Sequence, residues 1–147
     1  MAISNGLGLE KLREMIKYQE GNDQVIDDYS ILPIANERID LEYESDENVY
    51  VETIDALMIG EAAMLLGAGR ATIDDKIDLG VGIVLNKKVG DKISKGDILA
   101  TIYTNGQNTE QAIQMVLDSY LMSDKTILPR EITVSYTHLT LPTNSRV

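Results

Sequence analysis

Between Lys87 and Tyr103 the chain reads KKVGDKISKGDILATIY, with a glycine-aspartate pair at Gly90-Asp91 and a second at Gly96-Asp97. Glycine adopts positive φ at little cost, and an aspartate side chain bonds its own neighbouring backbone, so each pair marks a tight turn. Two such turns exclude a helix across this stretch and force strands on either side. Ile98, Ala100 and Ile102 then alternate with Leu99, Thr101 and Tyr103, the period-two pattern of a strand with one buried face.

The flanking segments follow the same logic. Leu9, Leu12, Ile16 and Gln19 share one helical face, with Met15 beside them; Ser4 or Asn5 is placed to start that helix, and Gly21 with Asn22 to end it. An irregular acidic stretch runs through Asp27 and Asp28 to Pro33. From Glu37 to Asp55 the pattern alternates again. Ile39, Leu41 and Tyr43 oppose Arg38, Asp40, Glu42 and Glu44, and the polar run Ser45 to Asn48 precedes Val49 and Val51, which reads as a β-hairpin. A short helix follows, with Ala62 and Ala63 allowing close packing and Gly67 at its C-terminal cap. Ile77, Leu79, Val81, Ile83 and Leu85 form a strand region, and Gly80 and Gly82 on its other face predict the close approach of another backbone. The last helix starts at Asn108, with Gln111 completing a capping box, and carries Ile113, Val116, Leu117 and Tyr120 as its buried stripe. Strands in the middle with helices around them give an α+β fold.

Charge narrows the function classes. The formal net charge is −11, which repels phosphate backbones and anionic lipid and argues against nucleic-acid and membrane partners. The chain has no Cys, so a thiolate metal site and a cysteine nucleophile are excluded. Its only histidine, His138, lies in a Thr-rich tail from Val134 to Val147 that has no acidic residue and resembles translated adapter sequence; this tail reads as non-native. The beginning of the chain lacks the basic and apolar regions of a secretory signal, so the expected location is cytoplasmic.

Chemistry-bearing motifs are few. No phosphate loop of the G-x-x-x-x-G-K-[ST] type and no G-x-S-x-G elbow occurs. Gly6 to Gly8 read as a helix start. Gly67, Gly69 and Arg70, in the run GAGR, offer backbone N–H groups and a guanidinium that suit an anion; the plainer reading is a helix cap followed by a surface arginine. Asp27-Asp28 and Asp74-Asp75 are adjacent carboxylates without EF-hand spacing, and read as solvated turns before they read as a cation site. No metal site is expected.

The Gly-Asp turns and following strand resemble the second half of a biotinyl or lipoyl carrier domain. No Met-Lys-Met occurs, and Lys87, Lys88, Lys92 and Lys95 lie around the turns with none on a hairpin shaped for modification. The longer run LLGAGRATIDDKIDLGVGIVLNKKVGDKISKGDILATIY, Leu65 to Tyr103, closely resembles the C-terminal domain of pyrimidine-nucleoside phosphorylases, relatives of thymidine phosphorylase. The likeness reaches upstream through ISNGLGLEKLREMI and downstream to about Ser123. It departs at Glu20-Gly21-Asn22, where the family has Gly-Gly-Asp, and at Asn48, where it has glycine.

The resemblance implies a hammerhead-like, barrel-sandwich β unit with flanking helices. It implies residues 1–22 as the last helix of an upstream domain, 23–133 as the C-terminal domain and 134–147 as the non-native tail. The parent activity it implies is phosphorolysis of uridine or thymidine to the free base and a pentose 1-phosphate, by a cytoplasmic homodimer without a cofactor, with phosphate as co-substrate. The family's phosphate-binding and base-binding motifs do not occur in this sequence, so no catalytic or substrate-binding residue is carried over and the chain alone is expected to be inactive. Its expected partners are the upstream phosphorylase domains. Gly67, Gly69 and Arg70 become candidates for a loop that supports domain closure. The alternative is a stand-alone, non-catalytic carrier or interaction module on the same β framework.

Overall fold

The computed structural model describes residues 6–70, 72–74 and 76–128. The two Gly-Asp turns are its organising centre. Gly90 and Gly96 have φ of 92° and 83°, the left-handed values that only glycine adopts without strain. In each turn the aspartate closes the bend: the Asp91 carboxylate accepts the Lys88 N–H at 2.7 Å, and the Asp97 carboxylate accepts the Ser94 N–H at 2.9 Å. Each turn also trades two backbone hydrogen bonds with a residue from earlier in the chain. Gly90 N–H donates to Val51 O and Val51 N–H to Asp91 O; Gly96 N–H donates to Tyr43 O and Tyr43 N–H to Asp97 O. The turns are therefore two clasps, gripping the segment from Tyr43 to Val51 at both ends.

These clasps decide the sheet topology. Strands β1 (Glu37–Glu42), β5 (Ile98–Thr104) and β3 (Gly82–Leu85) form one antiparallel sheet in the order β1-β5-β3. Strands β4 (Lys92–Ile93), β2 (Val49–Ile54) and β6 (Tyr120–Ser123) form the other, in the order β4-β2-β6. The expected hairpin of β1 with β2 does not form. Period-two patterning identifies both strands but not their partners: β1 runs beside β5, with Ile39 opposite Ile102, while β2 crosses to the second sheet, with Val49 opposite Ile93. The result is an α+β fold on two small sheets, not a closed barrel. Val51, Ile93, Ala100 and Ile102 are fully buried in the core.

Helices α2 (Ala56–Leu66) and α3 (Thr109–Asp118) pack on one another, and their alanines Ala62 and Ala112 are both fully buried. Asp55 caps α2 by accepting the N–H groups of Leu57 and Met58, and Gly67 ends it at φ 102°, as its position in the sequence predicts. Helix α3 departs from expectation at both ends. Asn108 takes a left-handed conformation and makes no cap; its amide reaches Leu65 O at 3.0 Å, so the capping box with Gln111 is absent. Of the expected stripe, Val116 and Tyr120 are buried and Ile113 packs on the core, while Leu117 is exposed and Tyr120 belongs to β6; Ala112 and Ser119 are buried beside them. The helix stops at Asp118, so Tyr120 reaches the core from a strand and not from the helix.

Helix α1 (Leu7–Tyr18) buries none of its residues. Its C-terminus closes with Gly21 N–H on Ile16 O and Glu20 N–H on Lys17 O, and the left-handed residue there is Glu20, at φ 57°, not Gly21 or Asn22. The candidate caps Ser4 and Asn5 and the tail from Val134 lie outside the described residues. The strand region before β3 is shorter than its alternation suggests, with Leu79 exposed. Gly80 behaves as predicted: a methyl group on it would stand 2.9 Å from the Ile34 carbonyl carbon. Gly82 does not, since nothing lies within 4 Å of that position.

Candidate functional site

The segment after α2 leaves the core and returns within a dozen residues. The Asp78 N–H donates to Gly67 O at 2.8 Å, joining the two ends of the loop at its base, the arrangement of a compact surface loop. Asp78 then fixes that base to the rest of the molecule. Its carboxylate accepts the Asn105 amide at 2.6 Å and the Gly80 N–H at 2.9 Å, and Asn105 in turn accepts the Asn36 N–H at 2.7 Å. The Asn105 amide, followed by the Gly80 N–H, holds the Asp78 carboxyl below its usual titration range. Asp78 thus ties its own turn to Gly67 and Asn105 directly, and to Asn36 through Asn105.

Beside this base lies a cleft of about 330 Å³, with Met64, Gly67, Gly69, Lys76, Gln107 and Asn108 in its wall. Of the residues singled out in the sequence, Gly67 and Gly69 line the cleft. Arg70 does not line it; it is exposed on the loop and makes no hydrogen bond or ion pair among the described residues. Further along the loop Ile73 is 92% exposed. Lys76 and Gln107 carry no sequence signal of a site, and Asn108 reads only as a helix start, because they reach the cleft from two stretches that only the folded chain brings together. Their sequence signal is the polar run Asn105-Gly106-Gln107-Asn108 just before a helix.

The other sequence candidates have structural occupations. The Asp27 carboxylate binds both Arg13 nitrogens, at 2.7 and 3.1 Å, and Asp28 accepts the Ser30 N–H at 2.9 Å. Asp74 is exposed, and Asp75 lies outside the described residues. Among the described residues no group of three or more His, Asp or Glu is placed to hold a metal ion. Lys87 is half-buried and ion-paired to Asp97 at 2.8 Å, while Lys95 pairs with Asp46 at 2.7 Å. Two of the four turn lysines are thus struts of the framework, unlike a swinging carrier arm. Among the described residues no helix is long and apolar enough to cross a membrane.

A family model described as the pyrimidine nucleoside phosphorylase C-terminal domain matches residues 50–123. The chain is 45% identical over 130 residues to a pyrimidine-nucleoside phosphorylase of Bacillus subtilis (strain 168), a match that covers 88% of the chain and 30% of that protein. It is 43% identical over 128 residues to a pyrimidine-nucleoside phosphorylase of Staphylococcus aureus (strain USA300), covering 87% of the chain and 29% of that protein. The chain therefore spans about three-tenths of the length of these curated relatives.

Proposed function

Since the chain belongs to the pyrimidine nucleoside phosphorylase C-terminal domain family, we propose that it serves as the C-terminal domain of an enzyme that cleaves uridine or thymidine with phosphate. The products are the free base and a pentose 1-phosphate; phosphate is a co-substrate and no cofactor takes part. The domain's share of the work is the loop from Gly67 to Asp78, which supports closure over substrate from this side of an interdomain cleft. One observation carries this reading: the loop is fixed at its base by Asp78 and presents Arg70 and Ile73 to solvent. A closure loop needs a rigid hinge and a tip with something to dock, and an exposed guanidinium suits a carboxylate or carbonyl across the cleft. Leu32, Ile34 and Leu79, exposed around the close contact of Gly80 with Ile34, supply apolar surface for the domain it packs against. Helix α1, with Leu9, Leu12 and Met15 exposed, is assigned to that preceding domain. The intact enzyme is expected to be a cytoplasmic homodimer.

The chain on its own is expected to release no base. Phosphorolysis must hold a phosphate dianion against a sugar that develops positive charge, and positioning with charge stabilisation supplies most of the acceleration. The test is a chimera in which this chain replaces the matched three-tenths of the Bacillus subtilis relative, assayed with uridine and phosphate beside the chain alone. The chimera should release uracil and the chain should not. In the chimera Arg70→Ala should lower kcat/KM by roughly tenfold, the worth of one charge-assisted hydrogen bond, with the melting temperature unchanged. A loss of melting temperature without a loss of turnover would return Arg70 to a structural role.

A further inference from the structure

Asparagine followed by glycine is the pair of residues at which a chain most readily attacks itself. Glycine has no Cβ to hold its nitrogen away from the asparagine side chain, so that nitrogen can reach the amide carbon. The pair occurs twice in this chain, at Asn5-Gly6 and at Asn105-Gly106. Asn5 lies outside the described residues, but Asn105 sits exposed in the turn between β5 and α3, within reach of water. The groups that the reaction would use there are already engaged. The Asn105 Oδ1 accepts the Asn36 N–H at 2.7 Å, and the Asn105 Nδ2 donates to the Asp78 carboxylate at 2.6 Å. Only one orientation of the amide satisfies both neighbours, so the side chain is held at both of its polar atoms. The attacking nitrogen is held as well. The Gly106 N–H donates to Thr104 Oγ1 at 3.0 Å, and the fully buried Thr104 is fixed in turn by a hydroxyl bond with Thr109 at 2.7 Å.

We propose that Asn105 is a deamidation site that the fold keeps closed, with Asp78 as its latch. When the Asp78 bond opens in a local fluctuation, the Gly106 nitrogen attacks Asn105 Cγ. A bond forms between that nitrogen and Cγ, the Cγ–Nδ2 bond breaks, and the amide nitrogen leaves as ammonia, taking the Gly106 proton with it. Water then opens the five-membered imide at one of its two carbonyls, which leaves aspartate or isoaspartate; water is the only co-reactant. The change runs one way. A carboxylate at position 105 faces the Asp78 carboxylate across the 2.6 Å at which an N–H donor stood, and like charges so close repel. Isoaspartate also routes the main chain through the former side chain, adding a methylene to the turn before α3. Either product severs the link that joins Asp78, through Asn105, to Asn36 at the entrance to β1. The bond that locks the reaction is thus the bond that the reaction destroys. This holds whether or not the chain completes a phosphorylase.

The test incubates the full chain at mildly alkaline pH, folded and in concentrated urea, and follows conversion of Asn105 by mass spectrometry of its tryptic peptide, with isoaspartate resolved by chromatography. Conversion should be about tenfold slower, or more, in the folded chain, since one hydrogen bond to a charged group is worth about that factor. Asp78→Ala should recover that factor in buffer and leave the rate in urea unchanged. Asp78→Asn, which keeps the shape of the side chain but offers only a neutral acceptor, should give a rate between the two; it also keeps the latch testable if the alanine variant proves unfolded by circular dichroism. Equal rates in the folded and the urea-treated chain, or no acceleration in a folded Asp78 variant, would overturn the latch. A second arm installs the product directly. Asn105→Asp should lower the melting temperature, and adding Asp78→Asn should restore it, because amide and carboxylate have then exchanged places. An Asn105→Asp chain as stable as the unmodified one, or a double variant no more stable than Asn105→Asp, would overturn the one-way consequence.

Discussion

Three glycines in this chain have different reasons for being glycine, and substituting alanine should separate them. At Gly96 the space is open, with nothing within 4 Å of a Cβ, but φ is 83°. The cost there is conformational only, about 1 kcal/mol for an L-residue held left-handed. At Gly80 the backbone angle is ordinary, but a methyl would stand 2.9 Å from Ile34 C, 3.1 Å from Ala35 N and 3.2 Å from Ile34 O. Those neighbours are main chain and cannot rotate away, so the segment leading into β1 must shift, at roughly 2 kcal/mol by the usual cost of overpacking. At Gly82 neither constraint applies: the residue lies in β3 and nothing is within 4 Å. Alanine there should stabilise by about 0.5 kcal/mol, by restricting the unfolded chain. Urea unfolding followed by circular dichroism gives all three values, and thermal melts should move by about 4 °C per kcal/mol for a domain of this size. The order Gly82→Ala, unmodified, Gly96→Ala, Gly80→Ala is the expected ranking. If Gly82→Ala destabilises as much as Gly80→Ala, space around the glycine is not what decides, and the reasoning fails.

Other outcomes follow from the same contacts. Glu20 holds φ 57° at the end of α1, where glycine is the natural occupant, so Glu20→Gly should raise the stability of α1 by about 1 kcal/mol, read as slower amide exchange in that helix. The single Tyr120 O–H is shared between Lys87 O and Leu99 O, and burial, with the Asp91 charge adding to it, pushes its pKa up to about 12; ultraviolet titration should show one tyrosine ionising near pH 12, and Tyr120→Phe should remove that step and cost about 1 kcal/mol. The Lys87 ammonium and the Ser94 N–H hold the Asp97 carboxyl below its ordinary range, so their contribution is complete above the unfolded pKa near 4 and is lost as pH falls through the lower folded value. Urea midpoints between pH 5 and pH 2 should therefore fall less steeply in Asp97→Asn than in the unmodified chain; equal slopes would refute the role of that pair.

What could be read from the sequence was whatever depends on a residue and its near neighbours. Gly90-Asp91, Gly96-Asp97 and the Gly67 cap are local backbone demands, and each appears where the residues require it. The alternation at Ile39 and Leu41 marks a strand with one apolar face, but the identity of its partner is a long-range fact. A hairpin reading was available only because Ser45 to Asn48 offer a polar turn between two strands. The structure spends that segment on a crossing between sheets, since Tyr43 and Val51 are taken by the two Gly-Asp turns. The candidate site divides in the same way. Gly67 and Gly69 sit in one recognisable run, while Lys76, Gln107 and the Asp78–Asn105 bond depend on loops that only packing unites. The same blindness applies to Asn108, whose side chain crosses to Leu65 instead of capping its own helix.

The two clasps also set a timetable for the chain as it leaves the ribosome. Neither Tyr43 nor Val51 can find its backbone partners until residues 90–97 have emerged, and Ile39 waits for Ile102. Until then the apolar faces of β1 and β2 have no mate, and two consecutive strands that could pair with one another must be kept from doing so. Contacts of such sequence separation make closure late and slow, and they expose edges while the chain waits. The polar stretch Glu44-Ser45-Asp46-Glu47-Asn48 between the strands works against a premature pairing, because a turn crowded with like charges is a poor place to nucleate one. The segment that looks most like a hairpin loop thereby helps prevent the hairpin.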